Sequence, residues 1–241
     1  MLRLSPLFPS ALSETAAAGL TGLQTALLFL GVLLSAAVGY FLGSVNTGIL
    51  YSKLRYRQDI RDYGSKNAGM TNMLRTYGKS AAAVTLAGDV LKAVIAVLIA
   101  RVIGAYIVPG KVIVDLTSYT AAFFCVTGHC FPVYHKFRGG KGVAAAAGAM
   151  LILSPLTFLI CLAVFLILVL WTKYVSLGSV IAALMYPLVL SRVGGPGVSV
   201  LFALAIGLLV VFRHKENIKR LREGKEKKIS LGKKKDGPDA K

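Results

Sequence analysis

A basic, glycine-rich stretch between two apolar segments carries the residue types best suited to chemistry. It runs from Gly128 to Val143, and its three cations and three of its glycines are Lys136, Arg138, Lys141, Gly139, Gly140 and Gly142. Glycines let a backbone take positive φ and come close to a ligand. A glycine-rich turn before a helix binds anions through amide N–H groups and the helix dipole. The stretch therefore indicates an anion site; the alternative is a basic loop whose glycines only turn the chain.

A second polar stretch, from Gly64 to Arg75, has the donors that a phosphate needs. Its candidate residues recur at short intervals and are Ser65, Asn67, Thr71, Asn72 and Arg75. If residues 71–75 are helical, Thr71 and Arg75 share one face, because residues four apart are neighbours on a helix. We expect these donors to converge on a phosphate; the alternative is an amphipathic surface helix with a polar cap.

Two pairs of polar residues interrupt or follow apolar segments. Asp89 and Lys92 lie one helical turn apart inside an apolar run, where ionisable groups are costly and face a bundle interior or water. We interpret them as an ion pair that neutralises its own charge and that holds the residues of the site in place without touching substrate. His214 and Asn217 follow the last apolar segment on one helical face. They emerge on the same side as the two phosphate-like stretches, which makes them candidate site residues; the alternative is a solvated histidine at the membrane boundary.

The composition is that of a membrane protein. Of the 241 residues 56% are hydrophobic, and the mean hydropathy of +0.69 is too high for a soluble domain of this length. The net charge of +18 lies in loops and tail, where anionic headgroups account for it, so nucleic-acid binding is not expected. Cys125, Cys130 and Cys161 lie in apolar runs without metal or disulfide spacing. His129 and His135 lack the acidic neighbours of a metal site, and we expect neither metal nor cofactor.

The apolar runs predict an all-α, polytopic membrane protein with about seven transmembrane helices. The predicted spans are residues 23–50, 81–108, 113–126, 142–153, 156–171, 180–190 and 198–212. The fourth is short, and its fusion with the fifth is the foreseeable error in this count. The loops after the first, third and fifth spans hold seven, three and one Lys or Arg, and the tail holds twelve. The positive-inside rule then places the N-terminus outside and the C-terminus in the cytoplasm.

This topology divides the chain into three parts. Residues 1–20 are expected to form a retained non-cytoplasmic leader, because Pro6 and Pro9 break the apolar core that a signal peptide needs. Residues 21–214 are expected to form the seven-helix membrane domain, and residues 215–241 a basic cytoplasmic tail. Deleting the residues after Lys228 is expected to change function little. All the polar stretches then lie at the cytoplasmic face.

Taken together, these polar stretches resemble those of the bacterial acyl-phosphate:glycerol-3-phosphate acyltransferases, which are integral membrane enzymes. The matching motifs are Asp59-Ile-Arg61 with Gly64-Ser-x-Asn-x-Gly-x-Thr-Asn72 and Arg75, Gly88-Asp89-x-x-Lys92, His129-x-Phe-Pro-Val133, Gly139-Gly-Lys-Gly-Val143, Tyr174-Val-Ser-Leu-Gly-Ser179 and Arg213-His-x-x-Asn-Ile218. They occur in that family's order and spacing. The chain departs from the family pattern at Asn46, Met70 and Lys66, where Pro, Ala and Gly are usual, and Lys66 bears on the geometry of the first phosphate loop.

The resemblance implies transfer of a fatty acyl group from acyl phosphate to the 1-hydroxyl of sn-glycerol 3-phosphate, at the cytoplasmic face of the bacterial inner membrane. The products would be 1-acyl-sn-glycerol 3-phosphate (lysophosphatidate) and phosphate, in the first acylation of phospholipid biosynthesis. The implied catalytic residues are His214, Asn217 and Ser65. The implied phosphate-binding residues are Arg75, Lys141, Ser179, Gly139, Gly140, Asn67, Thr71 and Asn72, with Asp89 and Lys92 behind them. The partners would be the two substrates and membrane lipid; oligomeric state leaves no clear mark, and a monomer is the default expectation.

The proton acceptor is left open between His214 and a substrate phosphate oxygen. The second is favoured, because His214 has no evident carboxylate to orient it. An acyl phosphate has a good leaving group, so positioning and electrostatics suffice without an acyl-enzyme. No acidic residue stands five positions after any of the three histidines, which argues against the His-x-x-x-x-Asp chemistry of acyl-CoA and acyl-carrier-protein donors. Two other classes compete: an anion transporter, against which no internal repeat is found, and a lipid-binding scaffold with a lysine-rich tail.

Overall fold

Every regular element in the described part of the chain is a helix. The computed structural model describes residues 21–107, 110–195 and 197–229. The expected leader, residues 1–20, and the last part of the expected tail, residues 230–241, lie outside the described residues. Within the described ranges the all-α fold class predicted from the sequence is confirmed.

Ten α-helices and two short 3-10 helices make up these ranges. In chain order the α-helices are α1 Gly22–Ser44, α2 Thr47–Tyr56, α3 Met70–Tyr77, α4 Lys79–Ile107, α5 Lys111–Cys130, α6 Val143–Leu153, α7 Pro155–Thr172, α8 Val175–Val193, α9 Gly197–Arg213 and α10 Lys215–Arg222. The 3-10 helices, Ile60–Asp62 and Val133–His135, lie between α2 and α3 and between α5 and α6.

Each predicted apolar segment overlaps a helix of the structure. By length and composition, four helical stretches in the described ranges are suited to cross a membrane: Gly22–Tyr56, Lys79–Ile107, Pro155–Thr172 and Val175–Val193. A fifth is added if α9 and α10, which are bent by 58°, count as one span. The count of seven spans and the orientation of the termini stay predictions.

The fourth and fifth apolar segments form two separate helices, α6 and α7. Helix α6 has 11 residues and ends at Leu153; the next residue, Ser154, has a φ of −152° and a ψ of 84°, which are not helical. Pro155 opens α7, and a proline pushes the residue before it into extended backbone. Arg101 of α4 donates to the carbonyl of Ile152 at 2.8 Å. It therefore satisfies one of the carbonyls that the end of α6 leaves without a helical partner.

Helices α1 and α5 approach each other backbone to backbone. A Cβ atom on Gly39 or Gly43 of α1 would collide with the carbonyl oxygen of Ala121 or Cys125 on α5. Glycine is therefore required for this close approach, as in other membrane helix pairs. The neighbouring core is rich in small side chains, among them Ala93, Ala96, Ala122, Ala145, Ala149 and Ala203. Small residues suit helix association in lipid, which depends on van der Waals packing.

A buried ion pair from α4 closes the break between α1 and α2. Lys92 donates to the carbonyls of Gly43 and Val45, at 2.9 and 2.7 Å, at the end of α1. Asp89 accepts from the N–H and the hydroxyl of Thr47, at 3.4 and 3.3 Å, at the start of α2. The two charged groups lie 2.9 Å apart. The expected pair therefore forms, and it places a cation at a helix C-terminus and an anion at a helix N-terminus.

Candidate active site

A cavity of about 460 Å³ brings most of the predicted site residues together. Its polar lining residues are Ser65, Asn67, Thr71, Asn72, Arg75, Asp89, His129, Lys141, Ser176, Ser179, His214, Asn217 and Glu226. Its apolar wall comes from α6, α7, α8 and α9 and includes Val143, Met150, Phe158, Phe165, Tyr186 and Ile206. Polar residues from separate parts of the sequence therefore share one end of a mostly apolar space.

Asn72 fixes the conformation of the polar stretch from Gly64 to Arg75. Its Oδ1 accepts a hydrogen bond from the backbone N–H of Ser65 at 2.7 Å. Its amide nitrogen donates to three loop carbonyls, those of Ile60, Tyr63 and Asn67, at 3.2, 3.0 and 2.9 Å. The side chain is buried, and these carbonyls take both of its N–H donors, so that none is left for a phosphate. Asn72 lines the cavity, but in this structure it orients the loop that carries Ser65.

Helix α3 turns Thr71 and Arg75 toward the cavity on one face, as their spacing predicts. The guanidinium of Arg75 donates to the backbone carbonyl of Lys227 at 2.9 Å. Burial lowers the pKa of Arg75 from its ordinary value, yet an arginine stays charged in a protein. Asn67 lies in the turn before α3, where its Oδ1 accepts from the N–H of Gly69 at 3.0 Å. The helix therefore offers a permanent cation at the polar end.

Lys141 lies in the loop before α6 and is directed at α10. Its ammonium donates to Oδ1 of Asn217. Burial lowers the pKa of Lys141 to about 8; Glu226 opposes the shift, and Arg220 and Arg75 add to it. Lys141 is therefore mostly charged near neutral pH and partly removed from water. Both conditions strengthen its attraction to a phosphate.

Glu226 is a site residue that the sequence reasoning missed. Its Oε1 accepts from Nδ2 of Asn217 at 2.6 Å and from the hydroxyl of Ser176 at 2.9 Å, and its Oε2 accepts from Arg220 at 2.8 Å. Burial alone would raise the pKa of Glu226, but these hydrogen bonds bring it below its ordinary value. The only hint in the sequence was a carboxylate two residues after Gly224, within a lysine-rich segment of the tail.

His214 lies just beyond the end of α9, and its side chain is buried. Its Nδ1 is 2.7 Å from the carbonyl oxygen of Val210. The neutral ring therefore donates from Nδ1 and keeps Nε2 as an acceptor. Burial and then the charge of Lys141 lower the pKa of His214 to about 4. The imidazole is neutral at physiological pH and is a weak base.

Ser179 and Ser65 both line the polar end, but they are held differently. The hydroxyl of Ser179 donates to the carbonyl of Val175, one turn earlier in α8, at 2.9 Å. Its oxygen keeps its own lone pairs and is therefore an acceptor toward the cavity. Ser65 is exposed, and its backbone, rather than its hydroxyl, is what Asn72 holds.

Gly139 and Gly140 lie beside the cavity rather than on its lining. Their N–H groups donate to the carbonyls of Cys130 and His129, at 3.3 and 3.0 Å, so these amides already have partners. Positive φ, which the sequence suggested for all three glycines, occurs at Gly142, with φ of 86°. The pair needs glycine for another reason: a Cβ at either position would collide with His129.

The histidines are not gathered with two or more other metal-ligating side chains in the described residues. Within residues 21–107, 110–195 and 197–229, no three His, Cys, Asp or Glu side chains come together as they would around a metal ion. Nδ1 of His129 lies 3.5 Å from Oδ1 of Asp89 and 2.9 Å from the ammonium of Lys92. His129 thus has an acidic neighbour that its sequence surroundings do not show, and the ammonium of Lys92 contacts both of them.

Known proteins are similar to this chain both in sequence and in fold. A family model described as glycerol-3-phosphate acyltransferase matches residues 33–224. The glycerol-3-phosphate acyltransferase of Clostridioides difficile strain 630 is 45% identical over 200 residues, which cover 80% of this chain and 93% of that protein. The protein of the same name from Geobacter sulfurreducens is 43% identical over 200 residues, 83% of this chain and 98% of that protein.

Two crystal structures of PlsY (YgiH), an integral membrane glycerol 3-phosphate acyltransferase, have the same fold. Its glycerol 3-phosphate form has a TM-score of 0.73 at 36% identity, and its lysophosphatidic acid form a TM-score of 0.71 at 34% identity. Each comparison covers 83% of this chain and 96% of the other. Sequence, fold and apolar helices agree: the chain is a multi-pass membrane protein and belongs to the glycerol-3-phosphate acyltransferase family.

Proposed function

We propose that the chain transfers a fatty acyl group from acyl phosphate to the 1-hydroxyl of sn-glycerol 3-phosphate, with 1-acyl-sn-glycerol 3-phosphate and phosphate as products. The observation that carries the proposal is the cavity in which Arg75, Lys141 and His214 meet at one end of an apolar passage. Two phosphorylated substrates need cations, and a fatty chain needs an apolar wall. The glycerol 3-phosphate and lysophosphatidic acid forms of the related PlsY support the same pair of requirements.

Arg75 and Lys141 are the proposed phosphate ligands. They reach the polar end from different elements, α3 and the loop before α6, so a phosphate can bind between them. A guanidinium suits two phosphate oxygens at once, and an ammonium acts as a point charge. Ser65 and Thr71 add hydroxyl donors around them, whereas Ser179, whose proton is given to Val175, offers an acceptor to a substrate hydroxyl. Asn217 aligns the glycerol part.

The reaction proceeds by direct transfer. The 1-hydroxyl oxygen attacks the acyl carbonyl carbon, the bond from that carbon to the phosphate oxygen breaks, and inorganic phosphate leaves. Lys141 stabilises the negative charge that develops on the carbonyl oxygen and on the leaving phosphate, which is the usual largest contribution to such catalysis. No covalent acyl-enzyme is needed, since the leaving group is already good.

A substrate phosphate oxygen takes the hydroxyl proton. The second pKa of a phosphate monoester is about 6, whereas the pKa of His214 is lowered to about 4. The phosphate is therefore the stronger base by about two units. His214 accepts a hydrogen bond at Nε2 from the neighbouring 2-hydroxyl of glycerol 3-phosphate and so orients the 1-hydroxyl for attack, with its ring held by Val210.

We place seven helices across the bacterial inner membrane, with the polar end of the cavity at the cytoplasmic face. The segments that carry Ser65, Lys141, Ser176 and His214 all line that end. In the proposed topology these are the cytoplasmic segments, as the positive-inside rule requires. The membrane domain covers residues 21–214, and the tail that follows contributes Asn217 and Glu226 to the site.

The identity of the acyl donor is the decisive test of the proposed function. The purified protein in detergent is given glycerol 3-phosphate with palmitoyl phosphate or with palmitoyl-CoA, and phosphate and lysophosphatidate are measured. We expect both products in equal amounts from palmitoyl phosphate, strictly dependent on glycerol 3-phosphate, and no acylation from palmitoyl-CoA. A comparable rate with palmitoyl-CoA would refute the donor. Anion uptake into proteoliposomes without any acylated product would favour the transporter instead.

A further inference from the structure

We propose that His129 is a positioning residue for the loop formed by Gly139, Gly140 and Lys141: Asp89 and Lys92 fix the orientation of its ring, and Gly140 packs against that ring. The ring thereby sets where Lys141 lies in the cavity. This inference rests on the proposed function, because it explains how the phosphate ligand Lys141 is placed. It also gives a purpose to three buried ionisable groups that the transfer reaction does not use.

The first step is the cluster itself. Asp89, Lys92 and His129 are 1%, 7% and 2% exposed, and ionisable groups buried among membrane helices are rare unless paired. The ammonium of Lys92 has Asp89 at 2.9 Å, His129 at 2.9 Å, and the two carbonyls at the end of α1. An ammonium has three N–H donors. Its donors are therefore fully used inside the protein, and Lys92 is a structural cation.

The second step is the orientation of the histidine ring. A charged lysine only donates, so Nδ1 of His129 accepts from it, and the proton of the neutral ring is on Nε2. Nδ1 therefore faces α4, and Nε2 faces the opposite side. On that side lies Gly140, and a Cβ atom added there would collide with Nε2 of His129. The ring and the glycine are in direct contact.

The third step is the loop. The N–H of Gly140 donates to the carbonyl of His129 at 3.0 Å. From the other side, Arg213 donates to the carbonyls of Gly140 and Gly139, at 3.2 and 3.4 Å. The two glycines are thus held between a histidine and an arginine. Lys141 is the next residue, so a shift of the glycines moves its ammonium.

Such a shift matters for the chemistry. A displacement of about 1 Å in a positioning element can lower an enzyme's rate by about 100-fold. An asparagine at position 129 tests the contact with Gly140 separately from the contact with Lys92. Its Oδ1 can still accept from Lys92, but the ring atoms that touch Gly140 are removed. In H129N we expect a folded protein whose kcat with palmitoyl phosphate falls at least about tenfold, because a displaced Lys141 stabilises the developing negative charge less well.

A double-mutant cycle tests the contact directly. G140A should lower kcat/KM strongly in the wild-type background, because its Cβ meets the ring. In the H129N background the same substitution should change kcat/KM less than about twofold, because that obstacle is gone. G139A is the matched control: its Cβ would meet the carbonyl oxygen of residue 129 and the ring of Pro132. Both remain in H129N, so G139A should be equally harmful in either background.

The possible outcomes distinguish a failure of the positioning role from a failure of the proposed function. An unchanged kcat in H129N, or equal harm from G140A in both backgrounds, overturns the positioning role. Thermal unfolding in detergent gives a second readout: G140A should lower the Tm in the wild-type background and spare it in H129N. That result would uphold the contact even if the wild-type protein failed to use acyl phosphate. If neither H129N nor H129S is recovered folded, the ring is a folding requirement and the inference is overturned.

Discussion

Lys141 donates a hydrogen bond to Asn217 across 76 residues of sequence. The contact joins the loop before α6 to α10. The other half of the Asn217 amide donates to Glu226 at 2.6 Å, so the orientation of the amide is determined from both sides. Cation, amide and carboxylate form a series at the polar end of the cavity. These residues should therefore act as a unit rather than as independent ligands.

Replacing Lys141 by alanine should remove acyl transfer almost completely while membrane insertion stays normal. The variant loses the buried cation that faces the leaving phosphate, and the loss of such a stabilising group lowers kcat by about 100- to 1,000-fold. Turnover with palmitoyl phosphate is the measurement. Lys136 lies exposed in the same loop, and K136A should retain activity. Wild-type turnover in K141A would remove Lys141 from the site.

The activity of the wild-type protein should fall as the pH rises through about 8. Burial first, with Arg220 and Arg75 adding to it, lowers the pKa of Lys141 to about 8. Only the protonated amine binds phosphate as a cation, so binding is present below this pH and lost above it. A pH profile of kcat/KM should show the alkaline limb. In K141R the limb should be absent, even at a lower rate, because arginine does not titrate in this range.

Replacing Glu226 by glutamine should move this alkaline limb to lower pH. The carboxylate raises the pKa of Lys141, and glutamine removes its charge while it can still accept a hydrogen bond from Asn217. E223Q is the matched control, because Glu223 lies exposed in the same segment and pairs with Lys225 at 3.2 Å. Identical profiles for E226Q and E223Q would show that Glu226 is not electrostatically coupled to Lys141.

Local patterns in the sequence sufficed for the helices and for the choice of polar residues. The apolar runs locate the helices because a membrane demands long apolar segments. The i,i+4 spacing of Thr71 and Arg75 predicts their shared face. Lys66, which departs from the family pattern, has φ of 56° and is exposed. Glycine takes this left-handed conformation without strain, which explains why the family usually has glycine at this position. Lys66 therefore bears on backbone strain in the loop rather than on the geometry of the phosphate site.

What the sequence could not predict depends on contacts between distant segments. Asn72 has the composition of a phosphate ligand, but only the folded loop shows that its amide is used by neighbouring backbone. His129 shows no acidic partner along the chain, because Asp89 comes from another helix. Glu226 is missed for the same reason: its partners Ser176 and Asn217 come from α8 and α10. A pattern reports residue types, whereas these roles are set by tertiary packing.

Replacing His214 by asparagine should lower kcat by no more than about 100-fold. A general base contributes about 100- to 10,000-fold, and a group that only orients the hydroxyl should contribute at the lower end. The pKa of about 4 that burial and Lys141 impose on His214 also predicts no acid limb near pH 6.5 due to this residue. A loss well above 1,000-fold, with a limb that disappears in the variant, would assign the proton to His214.

Two truncations should divide the tail into a part that the site needs and a part that it does not. A stop after Ile229 removes the lysines at positions 233–235 and 241 but keeps Glu226 and the N–H of Ile229, which donates to the carbonyl of Lys173 at 2.8 Å. This variant should keep activity within about twofold, because its remaining contacts at the polar end are unchanged.

A stop after Gly224 removes Glu226 together with the carbonyl of Lys227 that receives Arg75. The Asn217 amide then loses one of its two anchors, and Arg75 loses its carbonyl partner. We expect kcat/KM to fall at least about tenfold with a smaller change in Tm, because misplaced ligands affect the reaction more than the fold. Equal activity in the two truncations would show that residues 225–229 cover the site without shaping it. Loss of activity already at Ile229 would instead assign the lysine-rich end a role, as the scaffold alternative requires.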